Sequence, residues 1–385
     1  MGTRHLSLLI KPASSLCNLK CRYYFYHNLA ENRNIESYGI MQAEIAKTLI
    51  EKAAEAAQDS ITFAFQGGEP SLAGINFYEY FVNLANETLS KNKKKLQLNY
   101  SIQTNGINIT EDFAKFLKAH NFLVGLSLDG PKEINDFLRV DAKEGGTYGK
   151  IIKTVELFDK LNVDYNILTV ITAQTAKHIE KIYNHFKNRG FAYLQFIPCL
   201  EPLGVPSYDK VYSLTPKLYE KFLIALFGLW HGDFVKGKYT SIRFFDNLVR
   251  IAAGETPEQC GTLGFCAGQF VIEADGSVFP CDFYCVDNWK TGNIMDMGFD
   301  EIYNSQNMQK FLETSLYEKY SAVEGEKCKS CKVYHLCKGG CRRDRDSSTD
   351  GFAGSNIYCG ALYNFYCYAE PYLKEIIKNI QKTRG

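Results

Sequence analysis

The alternation of strand-like and helix-like segments over residues 1–200 restricts the fold more than any other feature of this chain. Six strand-like runs each precede an amphipathic helical pattern. Parallel strands need such crossover helices, so the pattern predicts an α/β fold with one parallel sheet covered by helices. Periodicity alone leaves a partial (β/α)6 barrel and an open doubly wound sheet as alternatives. The predicted strands are residues 6–10, 61–65, 96–102, 122–127, 165–171 and 193–197.

Three polar segments mark one edge of the predicted sheet. They are Gln66-Gly67-Gly68-Glu69, Gln103-Thr104-Asn105-Gly106 and Ser127-Leu128-Asp129-Gly130, and each follows a predicted strand. In both candidate architectures ligands bind at the carboxyl ends of the strands. The sequence therefore predicts a ligand site there.

Charge and hydropathy exclude two classes of partner. The chain has 44 Lys and Arg residues against 43 Asp and Glu residues, a net charge of +1. That balance gives no electrostatic basis for binding nucleic acid or a membrane surface. No apolar stretch approaches the roughly 20 residues of a membrane span, and the first residues lack a signal-peptide pattern. We expect a cytoplasmic protein, with the lysine-rich run at 91–95 forming a solvated loop.

The chain has thirteen cysteines, and ten of them lie between Cys260 and Cys367. A reducing cytoplasm disfavours disulfides, so metal ligation is the favoured interpretation. Spacing alone leaves zinc sites and iron–sulfur clusters as alternatives. The two arrays are Cys260, Cys266 and Cys281, and Cys328, Cys331, Cys337, Cys341 and Cys359.

A further pair, Cys17 and Cys21, directly follows the first predicted strand. By itself the pair could be two small buried residues. Its loop resembles the radical S-adenosylmethionine (SAM) motif Cys-x3-Cys-x2-Cys. The flanking Lys11-Pro12-Ala13-Ser14-Ser15 and the segment Gln66-Gly67-Gly68-Glu69-Pro70 resemble the anaerobic sulfatase-maturating enzymes. The segment Cys337-Lys338-Gly339-Gly340-Cys341-Arg342-Arg343 resembles their SPASM domain.

The resemblance runs from about residue 6 to residue 370 and favours iron over zinc. It implies a partial (β/α)6 radical SAM barrel in residues 1–200. Residues 201–259 would form a linker and helices. A cysteine-rich SPASM domain with two auxiliary 4Fe–4S clusters and a C-terminal helix would occupy residues 260–385.

The implied activity is oxidation of a cysteine or serine of a sulfatase active-site peptide to formylglycine. In that family SAM is cleaved at a radical SAM 4Fe–4S cluster, the resulting radical removes a hydrogen atom, and a base takes the side-chain proton. An electron leaves through the auxiliary clusters. The implied partners are a sulfatase polypeptide and an electron donor and acceptor such as flavodoxin or ferredoxin.

The resemblance also assigns roles to residues of this chain. It implies SAM contacts at Tyr26, Gly68, Ser127, Arg139 and Leu200, and a catalytic base at Asp282. From residue type alone, Arg139 could be a surface arginine and Asp282 a strand-end cap. The implied cluster ligands are Cys17 and Cys21; Cys260, Cys266, Cys281 and Cys341; and Cys328, Cys331, Cys337 and Cys359. Cys199, Cys285 and Cys367 remain as structural thiols.

The sequence departs from the family at one position, because Tyr24 stands where the third motif cysteine belongs. A phenol with a pKa near 10 is largely protonated at neutral pH, and oxygen is a harder ligand than thiolate. We therefore expect an under-ligated radical SAM cluster and impaired activity. Two alternatives are a SPASM-type modifier of another peptide and a non-catalytic protein that binds peptides or carries electrons.

Overall fold

The computed structural model describes residues 3–91, 94–202, 208–315, 328, 330–345 and 356–384. The strands are β1 (Thr3–Ile10), β2 (Ala57–Phe65), β3 (Gln97–Thr104), β4 (Leu123–Ser127), β5 (Tyr165–Ile171), β6 (Tyr193–Pro198), β7 (Ser241–Ile242), β8 (Phe270–Ile272), β9 (Ser277–Phe279) and β10 (Gly292–Asn293). The helices are α1 (Phe25–Glu31), α2 (Ala43–Ala56), α3 (Ile75–Ser90), α4 (Glu111–Ala119), α5 (Lys132–Leu138), α6 (Tyr148–Leu161), α7 (Ala173–Lys177), α8 (Ile179–Asn188), α9 (Pro216–Val235), α10 (Arg243–Ala252), α11 (Phe299–Tyr303), α12 (Gln306–Thr314), α13 (Tyr334–Cys337) and α14 (Cys359–Arg384).

The six predicted strands correspond to β1–β6, and helices follow them as the α/β prediction requires. Strands β8 and β9 pair antiparallel and form a hairpin around residues 274–276. Thr110 caps α4, with its side-chain oxygen accepting a hydrogen bond from the Phe113 N–H at 3.2 Å. Residues 203–207 of the predicted linker and residues 92–93 of the lysine-rich run lie outside the described residues.

The chain divides into two compact units. The first unit comprises Met1–Leu128, Arg139–Asn166 and Gly268–Phe311. Its strands lie in the order β10-β9-β8-β1-β2-β3-β4. Strand β1 pairs in parallel with β2 on one side and with β8 on the other. The N-terminal strand is therefore interior to the sheet, and its second neighbour comes from far along the chain.

An aromatic cluster forms the core of the first unit beneath β2 and β3. Phe63, Phe65 and Phe81 are almost fully buried, and their rings meet edge to face. Tyr100 and Phe122 stack at a ring-centroid distance of 5.0 Å. Such pairs add stability beyond their buried area. This packing stabilises the strands whose ends carry the polar segments.

The second unit comprises Asp129–Leu138, Ile167–Ala267 and Leu312–Gly385. Strands β5, β6 and β7 pair in parallel within it. Helices α7, α8 and α14 pack against α9. Thr215 caps α9 by accepting a hydrogen bond from the Leu218 N–H at 3.3 Å. Within the described part of the chain, no helix is long and apolar enough to cross a membrane.

Candidate functional site

Asp282 lies immediately after the β8–β9 hairpin of the first unit, and only 5% of its surface is exposed. Its Oδ2 accepts hydrogen bonds from the Tyr26 hydroxyl at 2.5 Å and from Gln66 Nε2 at 3.0 Å. Tyr26 belongs to α1, and Gln66 follows β2. Two other chain segments thus converge on one oxygen of the Asp282 carboxylate, which a surface cap would not require.

The other oxygen of Asp282 belongs to a buried ionic cluster, which we define as Lys11, Arg33, Glu273 and Asp282. Lys11 Nζ lies 3.2 Å from Asp282 Oδ1 and 3.6 Å from Glu273 Oε1. Arg33 Nη1 lies 2.7 Å from the same Glu273 oxygen. All four residues are less than 10% exposed. Two positive and two negative charges therefore balance inside the protein.

Each ion in this cluster depends on its partners. Burial works against the charge of Lys11, but the neighbouring Cys285 thiol, Asp282 and Glu273 outweigh it and raise the pKa of Lys11 above its ordinary value. Burial likewise works against the Glu273 carboxylate, but Lys11 and Arg33 hold the pKa of Glu273 below its ordinary value. These opposite shifts are consistent with a charged Lys11 ammonium and a charged Glu273 carboxylate.

The motif loop places Tyr24 beside Cys17. The Tyr24 hydroxyl oxygen is shielded from solvent, and burial and the adjacent Cys17 thiol raise the pKa of Tyr24 well above its ordinary value. The ring of Tyr24 also meets that of Tyr26 edge to face, with centroids 5.5 Å apart. The donors at this position are two thiols, Cys17 and Cys21, and one phenol. They do not fit a cluster held by three thiolates.

Arg139 is tied to the same loop. Only 6% of it is exposed, and its guanidinium donates a hydrogen bond to the Tyr23 hydroxyl. The next residue, Val140, accepts a hydrogen bond from the Lys20 N–H at 2.8 Å. Arg139 is therefore not a surface arginine; it lies against the motif loop.

The Gly-Gly-Glu segment after β2 joins this loop to β3. Gly68 has φ of +50°, and a Cβ there would lie 2.3 Å from the Leu16 carbonyl oxygen, so the close approach requires glycine. The buried Glu69 carboxylate accepts hydrogen bonds from the Ser71 N–H at 3.0 Å, the Thr104 hydroxyl at 2.7 Å and the Asn105 N–H at 2.7 Å.

Two further predicted contact residues lie at strand ends. Ser127 ends β4, and its hydroxyl accepts a hydrogen bond from Gln103 Nε2 at 3.1 Å. Leu200, in the second unit, follows the buried Cys199, whose N–H donates to the Ile171 carbonyl at 3.0 Å. Both positions are carboxyl-terminal to parallel strands, where ligands of this class of fold bind.

In the second unit, thiols from the C-terminal arrays gather in two places. Burial and the thiols of Cys359, Cys328 and Cys331 raise the pKa of Cys337 to about 11. Burial, Asp344 and the thiols of Cys260 and Cys266 raise the pKa of Cys341 well above its ordinary value. Gathered cysteine thiols are the donors that 4Fe–4S clusters use, so these sets fit such groups. In the described part of the chain, no three Cys, His, Asp or Glu side chains surround a position for a single metal ion.

Comparison with known proteins identifies the family. Residues 12–186 match the radical SAM superfamily, and residues 265–332 match the SPASM iron–sulfur cluster-binding domain. The cysteine-type anaerobic sulfatase-maturating enzyme of Clostridium novyi is 46% identical over 94% of this chain and 95% of its own length. The chain belongs to the family of anaerobic sulfatase-maturating enzymes. The serine-type enzyme of Bacteroides thetaiotaomicron is 27% identical over 99% of this chain and 93% of its own length.

The fold agrees with a solved member of this maturase family. The structure described as native anSMEcpe with bound AdoMet and Cp18Cys peptide has a TM-score of 0.91 and 46% sequence identity, and the match covers 98% of this chain and 99% of that one. The prediction of an α/β radical SAM partial barrel with a SPASM domain is thereby confirmed, and the open doubly wound alternative is wrong.

Sequence reasoning missed most of the buried ionic cluster of this maturase. The sequence marks Lys11 only as part of the segment that resembles the family, and no sequence pattern marks Arg33 or Glu273. The one available signal is that Glu273 directly precedes the Ala274-Asp275-Gly276 turn, where an acidic residue reads as part of the turn. Gln66 was noted as a segment member and not as a partner of Asp282.

Proposed function

We propose that this chain acts in the cytoplasm as a cysteine-type anaerobic sulfatase-maturating enzyme whose radical step is impaired by Tyr24. Its substrate would be a sulfatase active-site peptide carrying the cysteine to be converted to formylglycine. The observation that carries the proposal is the convergence of Tyr26 and Gln66 on Asp282, in a chain that resembles cysteine-type relatives along almost its whole length. The greater identity to the cysteine-type than to the serine-type relative supports cysteine as the target.

In this proposal Asp282 is the general base. Its Oδ2 would accept the proton of the target thiol, with Gln66 orienting that oxygen and the Tyr26 hydroxyl giving way to the substrate. SAM would contact Tyr26, Gly68, Ser127, Arg139 and Leu200. The buried Arg139 guanidinium suits the SAM carboxylate because it can make charge-assisted hydrogen bonds. The barrel would span residues 1–200, the linker and helices 201–259, and the SPASM domain 260–385.

The auxiliary clusters would serve as electron acceptors when bound. Four cysteines would hold one of them, Cys328, Cys331, Cys337 and Cys359. Four others would hold the second, Cys260, Cys266, Cys281 and Cys341. Electrons would pass between these clusters and a small redox protein such as a flavodoxin or ferredoxin.

A second function is favoured by one specific observation, the phenol at position 24. With two thiols instead of three beside the SAM contacts, the chain would keep peptide binding and both auxiliary clusters. It would then act as a non-catalytic peptide-binding or electron-carrying protein. A SPASM-type modifier of a different peptide would need the same radical site as the maturase, so Tyr24 would impair it equally.

The test compares the chain with Tyr24→Cys and with the matched control Tyr24→Ser, which removes the ring without supplying a thiol. After anaerobic reconstitution we expect about eight irons per chain in the unaltered protein and in Tyr24→Ser. We expect about twelve in Tyr24→Cys, because each 4Fe–4S cluster holds four irons. The unaltered chain and Tyr24→Ser should form at most traces of 5′-deoxyadenosine from SAM and a reductant. Tyr24→Cys should cleave SAM and convert a cysteine-containing sulfatase peptide to formylglycine, detected by mass spectrometry.

The other outcomes separate the alternatives. Rapid SAM cleavage by the unaltered chain would show that Tyr24 is no impediment. Peptide binding without SAM cleavage in Tyr24→Cys would favour the non-catalytic function. SAM cleavage without formylglycine would indicate a different peptide substrate.

A further inference from the structure

The buried ionic cluster contains three charges that the proposed reaction does not use. Asp282 is the proposed base, whereas Lys11, Arg33 and Glu273 have no role in the proposed reaction and are at most 8% exposed. Burying charged groups is costly unless each is paired. The presence of these buried charges next to the proposed base therefore needs a functional explanation.

Lys11 is fixed in position by its backbone and by its stem. It directly follows β1, and its N–H donates to the Ile272 carbonyl at 2.8 Å, beside β8. Its side chain passes Gly67, where a Cβ would lie 2.6 Å from Lys11 Cγ. Its ammonium then lies 4.6 Å from the centre of the Tyr26 ring. The path from strand to ammonium leaves little freedom for another rotamer.

Glu273 also pairs with the Lys11 ammonium, and Arg33 in turn pairs with Glu273. Glu273 Oε1 lies within reach of both cations, 3.6 Å from Lys11 Nζ and 2.7 Å from Arg33 Nη1. Arg33 is anchored in turn, because its Nε donates to the Cys285 carbonyl oxygen at 2.5 Å. The chain of contacts runs from Cys285 through Arg33, Glu273 and Lys11 to Asp282.

We propose that Lys11 is the positioning residue of Asp282: its ammonium holds Oδ1 so that Oδ2 alone faces Tyr26, Gln66 and the substrate. This inference rests on the proposed function and adds a residue to it. A carboxylate held at only one oxygen can turn about its Cβ–Cγ bond, whereas Lys11 at 3.2 Å on Oδ1 opposes that turn. A misplacement of about 1 Å at a reacting group can cost roughly 100-fold in rate.

The experiment uses Lys11→Met, which keeps the length of the stem and removes the charge, and Lys11→Gln, which keeps a hydrogen-bond donor. The matched control is Lys47→Met, at a lysine whose side chain is 57% exposed. In the Tyr24→Cys background we expect the ratio of formylglycine to 5′-deoxyadenosine to fall about 10–100-fold in Lys11→Met. It should fall less in Lys11→Gln and stay unchanged in the control. The KM for the peptide should not change, since Lys11 is only 1% exposed.

A second readout does not depend on turnover. The tyrosine ring-carbon resonance that is lost in Tyr26→Phe reports the Tyr26–Asp282 hydrogen bond, and it can be followed by NMR in the unaltered Tyr24 chain with labelled tyrosine. We expect this resonance to shift or broaden in Lys11→Met and to stay in place in Lys47→Met.

The two readouts keep the inference apart from the proposed function. If the Tyr24→Cys parent forms no formylglycine, the proposed function fails, while the Tyr26 resonance still tests Lys11. An unchanged Tyr26 resonance in folded Lys11→Met would overturn the positioning role, as would an unchanged product ratio. If Lys11→Met does not fold, the same two measurements on Lys11→Gln decide the matter.

Discussion

Glu69→Gln tests whether the Gly-Gly-Glu segment is held by a buried carboxylate. In the structure Glu69 is 1% exposed. Its Oε1 accepts hydrogen bonds from the Ser71 N–H and the Thr104 hydroxyl, and its Oε2 accepts one from the Asn105 N–H. Glutamine has nearly the same shape, but one of the two oxygens becomes an NH2 group. If the NH2 group replaces Oε1, it faces the Ser71 N–H, and if it replaces Oε2, it faces the Asn105 N–H. In both cases a buried backbone N–H loses its acceptor.

The magnitude follows from these contacts. A buried N–H left without an acceptor costs about 1–3 kcal/mol, and each remaining hydrogen bond loses about 1 kcal/mol when its acceptor is no longer charged. The removal of a buried charge offsets part of this loss. We expect Glu69→Gln to lower the free energy of unfolding by about 2–4 kcal/mol near neutral pH.

The pH dependence has a definite sign. Burial raises the pKa of Glu69 above its ordinary value of 4.5, although hydrogen bonds from Asn105, Ser71 and Thr104 oppose the shift. A group with a raised folded-state pKa contributes stability that is fully present below the unfolded pKa and is lost as the pH rises through the folded pKa. Glutamine does not titrate there. The deficit of Glu69→Gln should therefore be largest at acidic pH and narrow toward neutral pH.

The assay is anaerobic urea unfolding from about pH 4.5, the ordinary pKa of a glutamate, to about pH 8. Trp289, in the first unit, reports the transition when Trp230, the other tryptophan, is replaced by phenylalanine. The matched control is Glu79→Gln, on an exposed position of α3, and should stay within about 0.5 kcal/mol of the parent. A Glu69→Gln protein as stable as its parent, or a deficit that widens as the pH rises, would refute this account.

Two further predictions concern the base and a cluster. In the Tyr24→Cys background, Asp282→Asn should slow formylglycine formation by about 10²–10⁴-fold, the usual contribution of a positioned base. Peptide affinity, measured by calorimetry, should not change. Turnover equal to that of the parent would show that Asp282 is structural. Cys337→Ser should lose about four of about eight irons after anaerobic reconstitution, measured by iron and sulfide analysis, whereas Cys367→Ser should lose none; full iron content in Cys337→Ser would contradict the ligand assignment.

The sequence predicted those parts of the fold that local patterns encode. Strands β1–β6 were recognised because hydrophobic alternation and the following helical period are local signals. The pairing of β8 with β1 was not foreseen, since Leu8 meets Phe270 through a register that no short window contains. Strands β7 and β10, of two residues each, are too short to show a period.

The candidate site divides in the same way. Asp282 and the cysteines were found because motif spacing resembles a family. The ionic cluster was not, because Lys11 and Glu273 are 262 positions apart and neither residue type predicts burial. Pairing is what makes such burial tolerable, and pairing across this distance depends on the completed sheet. Glu69 was expected near a ligand. Its N–H donates to the Leu16 carbonyl of the motif loop, and its carboxylate accepts hydrogen bonds from Ser71, Thr104 and Asn105.

The position of β1 between β2 and β8 has a consequence for synthesis on the ribosome. Once β2 has paired, the other edge of β1 stays open until residues 270–272 emerge. At about 5–20 residues per second this takes roughly 13–50 s after β1 itself appears. An open apolar strand edge invites pairing with other chains during that interval. The hairpin that finally covers the edge also delivers Asp282, so a nascent chain gains its proposed base and loses its exposed edge in a single late event.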